Sequence, residues 1–185
     1  MIFSRPLLGL LFILSVVMVG PSCARDDTSS GQSSSSGQQQ EGSHTKWLGF
    51  NDGLIKARSQ KKPIFVEFYT DWCPYCKLFQ KETIGESKVA RMLAENFVYV
   101  RLNAEDLNNH VKYNGKTFSN VELAHSFSVT AYPSLLFLDS GGKPITMLSG
   151  FIPPDQFEPV LAYIQQECYQ TQITFREFAQ KRTCN

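Results

Sequence analysis

Two cysteines, Cys73 and Cys76, lie three positions apart in the stretch DWCPYCKLFQ, with only Pro74 and Tyr75 between them. A pair at this spacing can form a local disulfide that opens and closes during thiol–disulfide exchange. It can also supply two thiolate ligands of a zinc site, or form an ordinary structural disulfide. The elements that must position the two sulfurs favour the first of these interpretations.

The pair is predicted to open a helix directly after a buried strand. Residues 64–70, IFVEFYT, are β-branched and aromatic and follow Pro63, which is typical of a buried strand. Cys73 would then lie at a helix N-terminus, where unpaired N–H groups and the helix dipole lower a cysteine pKa from about 8.5 to between about 3.5 and 7.5. We therefore predict that Cys73 attacks a substrate disulfide and that Cys76 resolves the mixed disulfide. Pro74 suits the first turn, where its missing N–H costs no hydrogen bond.

The hydrophobic pattern of the rest of the chain predicts an α/β domain with a mixed sheet covered by helices on both faces. Asn114-Gly115 is a favoured two-residue turn, so residues 108–120 form either a small hairpin or a plain polar loop. The other predicted elements are helices over 47–62, 77–83, 87–96, 120–127, 153–168 and 173–182, a strand over 97–103, and a hairpin of 133–139 with 143–149.

Several motifs in this order resemble the thioredoxin fold. They are FVEFYTDWCPYCK, VYVRLN, VTAYPSLLFLDSGGK and GFIPPDQFEPVLAYI, which together cover most of residues 47–166. The chain is most similar to exported thioredoxin-like proteins, including sulfur-oxidation thioredoxins and the C-terminal domain of transmembrane disulfide reductases. The resemblance implies a central mixed sheet flanked by helices, here with an N-terminal helix and a C-terminal helical extension. It also implies a protein-disulfide reductase that needs no cofactor.

The resemblance also assigns roles to residues outside the dithiol. Pro133 matches the family's cis-proline, which lets Tyr132 offer its backbone to a substrate strand. Trp72 either shields the dithiol or is plain packing, and with Pro74 and Tyr75 it belongs to the expected substrate-binding surface. The Pro-Tyr pair between the cysteines departs from the usual Gly-Pro of thioredoxins and is the dipeptide of glutaredoxins.

Glu67 lies six residues before Cys73, where the family carries a buried acid that exchanges a proton with the resolving cysteine. A carboxyl between Phe65 and Phe68 should have a raised pKa, which suits a base for Cys76. The alternative is a structural ion pair between Glu67 and Arg101 on the neighbouring strand.

The remaining cysteines indicate export. Cys168 and Cys184 are expected to form a structural disulfide, which an oxidising compartment permits. Residues 1–22 are typical of a signal peptide, because an apolar run shorter than a membrane span precedes small residues. Cys23 then stands where bacterial lipoproteins are lipidated, although ordinary cleavage after Ala24 is the alternative.

Residues 23–45 are rich in Ser, Gly and Gln and predict a disordered linker of roughly 25 Å, which leaves residues 46–185 as one thioredoxin-like domain. The linker and a lipidated Cys23 together predict a membrane-tethered protein of the periplasm or cell envelope. The alternative is that these residues are only a disordered N-terminal tail of an exported, unanchored protein.

Charge and ligand counts limit the remaining functions. The 18 Lys and Arg nearly balance the 17 Asp and Glu, which argues against a nucleic-acid partner. A zinc or copper module of related fold is the alternative function, but no second pair of ligands has matching spacing. We predict a monomer that reduces disulfides of client proteins and is recycled by a redox partner.

Overall fold

The computed structural model describes residues 47–185. Its elements follow the predicted order of helix and strand. The helices are α1 (Phe50–Gln60), α2 (Pro74–Leu78), which continues as a π-helical turn (Phe79–Ile84), α3 (Ser87–Asn96), α4 (Asn120–Ser126), α5 (Pro154–Gln165), a 3-10 turn (Cys168–Gln170) and α6 (Phe175–Lys181). The strands are β1 (Ile64–Tyr69), β2 (Val98–Asn103), β3 (His110–Tyr113), β4 (Lys116–Ser119), β5 (Ser134–Leu138) and β6 (Pro144–Ser149).

The strand β1 that leads into the dithiol is central in a four-stranded sheet of order β2-β1-β5-β6. It pairs with β2 in parallel and with β5 antiparallel, and β6 continues antiparallel to β5. This register places Glu67 of β1 between Arg101 of β2 and Leu135 of β5. A charged residue is thereby held at the centre of the sheet.

Alternate residues of β1 contribute to separate cores on the two faces of the sheet, as period-2 side-chain alternation requires. One face packs against α1 and α4, and the other against α3 and α5, which confirms the predicted mixed sheet between two helical layers. Phe65 on the second face stacks on Tyr99 and Phe137 with ring centroids 4.8 Å and 5.1 Å apart. Glu67 lies on this aromatic face, two residues after Phe65.

Residues 110–119 form the hairpin β3–β4 rather than a plain loop. Asn114 and Gly115 at its tip both have positive φ, of 50° and 76°. A two-residue hairpin turn of this hand needs positive φ at both positions, which Asn and Gly tolerate best. The Asn114-Gly115 signal is therefore confirmed.

The predicted first helix is wrong at its start, because residues 47–49 are extended. Leu48 forms a parallel bridge to Val100, and its N–H donates to the Tyr99 carbonyl at 3.1 Å. The outer edge of β2 offers unpaired backbone groups, and Leu48 satisfies them before α1 begins at Phe50. The hydrophobic periodicity of the local sequence carries no information about such pairing with a distant strand.

The predicted signal peptide, Cys23 and the linker to residue 45 lie outside the described residues. Within residues 47–185, no helix has both the length and the apolar character needed to cross a bilayer.

Candidate redox site

Cys73 and Cys76 are bonded to each other at the start of α2, with Cα atoms 5.3 Å apart. Cys73 is the N-cap residue of this helix, and the backbone N–H of Cys76 donates to its Sγ at 3.0 Å. Pro74 occupies the first turn, where no backbone donor is needed. A sulfur in this position receives the N–H groups that would stabilise a thiolate.

Both cysteines are buried, whereas the side chains around them are not. Cys76 is fully buried, and Cys73 is 2% exposed. The side chains beside them are open to solvent, since Trp72 is 64% and Tyr75 60% exposed. Plain core packing therefore does not describe Trp72.

The carboxyl of Glu67 is fully buried and accepts all its hydrogen bonds on one oxygen. Oε2 accepts from the Gln80 amide, from the Tyr99 hydroxyl at 2.9 Å and from Arg101 Nε at 3.3 Å. Oε1 has no partner among the residues that the structure describes. The two oxygens are thus chemically distinct.

Burial raises the pKa of Glu67 to about 7, against the lowering effect of the Arg101 charge and of the hydrogen bonds from Tyr99, Arg101 and Gln80. The carboxyl is therefore balanced between its neutral and ionised forms near neutral pH. Ion pairing and a raised pKa, which the sequence suggested as alternatives, occur together here.

Arg101 is held in place by two aromatic rings. Its guanidinium carbon lies 3.7 Å from the centroid of the Tyr69 ring and 5.2 Å from that of Trp47. Cation–π contact fixes a guanidinium without neutralising it. Trp47 also packs on Tyr99, with ring centroids 3.9 Å apart. The segment before α1 thereby supports two of the three donors to Glu67.

Pro133 lies in the loop before β5, and the peptide bond between Tyr132 and Pro133 is cis. The carbonyl of Pro133 accepts from the Gly150 N–H at 2.7 Å, and the Ser134 hydroxyl donates to the Ala131 carbonyl at 2.7 Å. The Tyr132 ring meets Trp72 edge-on, at 6.1 Å between centroids. The expected substrate-binding residues Trp72 and Tyr132 are thus in contact.

Gln80, Tyr99 and Glu105 also belong to the site, although the sequence did not single them out. Gln80 lies four residues after Cys76, a spacing that puts both on one helix face, so this signal was available. Tyr99 and Glu105 reach the site only through strand pairing and loop placement, which local sequence patterns do not predict. Glu105 accepts the Trp72 indole N–H with both carboxylate oxygens, at 2.9 Å and 3.1 Å.

The second cysteine pair belongs to the C-terminal extension. Cys168 and Cys184 are bonded, with Cα atoms 5.3 Å apart. Their disulfide encloses α6, whose Phe178 is fully buried against the Tyr163 ring of α5.

A metal site would need further ligands near the dithiol. Within residues 47–185 there is no group of three or more His, Cys, Asp or Glu side chains placed to hold a metal ion.

Comparison with known proteins agrees with this geometry. A family profile described as "Thioredoxin-like domain" matches residues 50–165. The thiol:disulfide interchange protein DsbD of Yersinia pestis is 34% identical over 105 residues, which cover 56% of this chain and 16% of that protein. The chain thus spans about a sixth of the length of this relative.

Two solved structures are similar as well. A candidate disulphide isomerase from Bacteroides thetaiotaomicron is 31% identical, with a TM-score of 0.50 and coverage of 66% of this chain and 91% of that one. A thioredoxin-fold protein from Helicobacter pylori has a TM-score of 0.54 at 24% identity, over 71% of this chain and 90% of that one. The second likeness supports the fold alone.

Proposed function

Because the chain belongs to the thioredoxin-like family, we propose that it is a thiol–disulfide oxidoreductase that reduces protein disulfides through Cys73 and Cys76. The observation that carries the proposal is the position of Cys73 as the N-cap of α2, with the Cys76 N–H directed at its sulfur. A structural disulfide has no need of this arrangement, whereas an attacking thiolate does.

The exchange proceeds in two steps. The Cys73 thiolate attacks one sulfur of a client disulfide, forms a mixed disulfide and releases the other client sulfur as a thiolate, which takes up a proton. Cys76 then loses its proton, attacks the Cys73 sulfur and releases the second client thiol. Two electrons pass to the client, and Cys73–Cys76 ends as the disulfide present in this structure. A dithiol-bearing redox partner must reduce it again.

Glu67 is proposed to accept the proton of Cys76 in the second step. Support comes from its burial on the sheet face where Phe79 and Ile84 of the π-helical turn also pack, and from a pKa of about 7, at which a carboxyl exchanges protons readily in neutral solution. Gln80 connects the two elements, because it lies one turn after Cys76 and donates to Glu67. Oε1, which has no hydrogen-bond partner in the described part of the chain, is the oxygen available to take the proton.

The client is proposed to lie across Trp72, Pro74, Tyr75, Tyr132 and Pro133. Within residues 47–185 the backbone of Tyr132 makes no hydrogen bond of its own, so both its N–H and its C=O are available to an extended client segment. A protein segment, rather than a small disulfide, can use these groups and the exposed aromatic rings together.

The cellular setting is also a proposal. Residues 1–22 are proposed as the signal peptide, Cys23 as a lipidated anchor, residues 23–45 as a linker and residues 46–185 as the reductase domain of a monomeric envelope protein. The name of the Yersinia pestis relative, a thiol:disulfide interchange protein, is consistent with such a role.

The test is reduction of insulin by the full chain with dithiothreitol as the electron source. We expect the wild-type chain to accelerate precipitation of the insulin B chain, Cys73→Ala to abolish this, and Cys76→Ala to trap a mixed disulfide on Cys73. In a chain that keeps both cysteines, Glu67→Gln should slow the attack of Cys76 on the mixed disulfide about a hundredfold, as loss of a general base does. A chain with both Cys168→Ser and Cys184→Ser is the matched control and should retain activity. Absence of reduction by the wild-type chain, together with stoichiometric zinc or copper, would overturn the proposal.

A further inference from the structure

The wall of the redox site beside Trp72 is built by the loop that follows β2. Glu105 accepts the Trp72 indole N–H with both oxygens, and the neighbouring Asn103 amide donates to Asp71 at 3.1 Å. The Asn103 side chain also accepts the Glu105 N–H at 3.0 Å, which fixes the loop itself. The last residue of β2 and a residue of the loop that follows it thus hold the two residues that precede Cys73.

This arrangement brings a carboxylate to the proposed client surface. Trp72 carries the hydrogen bond to Glu105 at one edge and packs against Tyr132 at 6.1 Å between centroids. The charge of Glu105 is close enough to contribute to the raised pKa of Tyr132, after the larger effect of burial. Glu105 therefore lies beside the residue whose backbone a client would pair with.

The carboxylate is not neutralised by the protein. Among residues 47–185, every ion pair involves either Glu67 or Glu158. Glu105 and the adjacent Asp71 accept hydrogen bonds only from the neutral indole and amide groups of Trp72 and Asn103. An exposed carboxylate with free lone pairs attracts a cation. The neighbouring aromatic rings of Trp72 and Tyr132 also favour a cation at this place.

We propose that Glu105 determines client specificity: it fixes the Trp72 indole against Tyr132 and offers its carboxylate to a Lys or Arg side chain that neighbours the attacked half-cystine in an extended client segment. This inference rests on the proposed function, since it concerns the clients of the same dithiol. Cations are favoured over neutral polar groups because the acceptor is ionised and lacks a counter-ion. An acidic neighbour in the client would be repelled.

The test uses synthetic peptides with a single cysteine joined to 2-mercaptoethanol in a mixed disulfide. The peptides differ only in carrying Arg, Gln or Glu two residues from the half-cystine, on either side. The rate of their reduction by the reduced full chain is measured under pseudo-first-order conditions. We expect the Arg peptide to react about five-fold faster than the Glu peptide on the favoured side, the size typical of an exposed ion pair.

Two substitutions separate the charge of Glu105 from its support of Trp72. Glu105→Gln removes the charge but keeps an oxygen for the indole N–H, so the Arg preference should disappear while Trp72 fluorescence stays unchanged. Glu105→Ala should lose the preference and also shift the emission of Trp72. Glu95→Gln, an exposed acid on α3, is the control and should keep the wild-type preference. Raising salt from about 0.02 M to about 0.5 M should reduce the preference in the wild-type chain as Glu105→Gln does.

Equal rates for the Arg and Glu peptides, or a preference that survives in Glu105→Gln, would overturn the inference while leaving the reductase proposal intact. Failure of the wild-type chain to reduce any peptide or insulin would instead reject the proposed function. The two failures are therefore distinguishable.

Discussion

At the scale of single residues, Glu67 couples the stability of the oxidised protein to pH. Its pKa is about 7 in the folded chain, against 4.5 for an ordinary glutamate. Between these values the folded protein keeps a proton that the unfolded chain has released, so stability falls as pH rises. The loss amounts to about 3 kcal/mol once the pH is above both values.

Glu67→Gln removes this titration while keeping a polar side chain of the same size. We therefore expect the wild-type chain to lose about 3 kcal/mol of unfolding free energy relative to Glu67→Gln as the pH rises from about 4.5 to 8. Denaturant unfolding at several pH values measures the difference. The exposed Glu82→Gln should give no such trend relative to the wild-type chain. A difference between wild type and Glu67→Gln that does not change with pH would contradict this prediction.

At the scale of elements, α1 approaches β2 so closely that one helix position must lack a side chain. A Cβ at Gly53 would clash with the Val100 side chain. Gly53→Ala should destabilise the protein by about 1–3 kcal/mol through overpacking, although alanine is the better helix former by about 1 kcal/mol.

Thermal or denaturant unfolding of the oxidised chain measures the effect of Gly53→Ala. The control is Ile55→Ala on the same helix, where the side chain is 68% exposed and its loss should change stability little. Stabilisation by Gly53→Ala would show that helix propensity outweighs the packing of α1 on β2.

Elements with local signals were predictable from the sequence. The apolar run of β1, the Asn114-Gly115 turn and the Cys73 helix start each depend on neighbouring residues alone. The extended segment at Leu48 was not predictable, because its conformation is set by the free edge of β2. The donors to Glu67 show the same division: Arg101 was anticipated from its place on the neighbouring strand and the spacing of Gln80 from Cys76 was a usable signal, whereas Tyr99 depends on how β2 pairs with β1.

At the scale of the whole molecule, the Cys168–Cys184 disulfide closes the C-terminal extension on itself over a sequence separation of 16. Replacing both cysteines by serine should cost about 3 kcal/mol of stability, because the unfolded chain regains the entropy that the cross-link removes. Differential scanning calorimetry of the two proteins under oxidising conditions measures this. Insulin reduction should persist, since α6 holds none of the residues proposed for exchange. An unchanged melting temperature would mean that the burial of Phe178 alone secures α6.

The unequal exposure around the dithiol should make the proposed reductase react faster with protein disulfides than with small ones. The reactive sulfur presents almost no surface, whereas the aromatic rings that border it are open. Small disulfides such as oxidised glutathione can gain little from those rings and meet a recessed target. A polypeptide disulfide whose chain packs on the rings is held over the sulfur long enough to react, so electrons pass to macromolecular disulfides rather than to small ones.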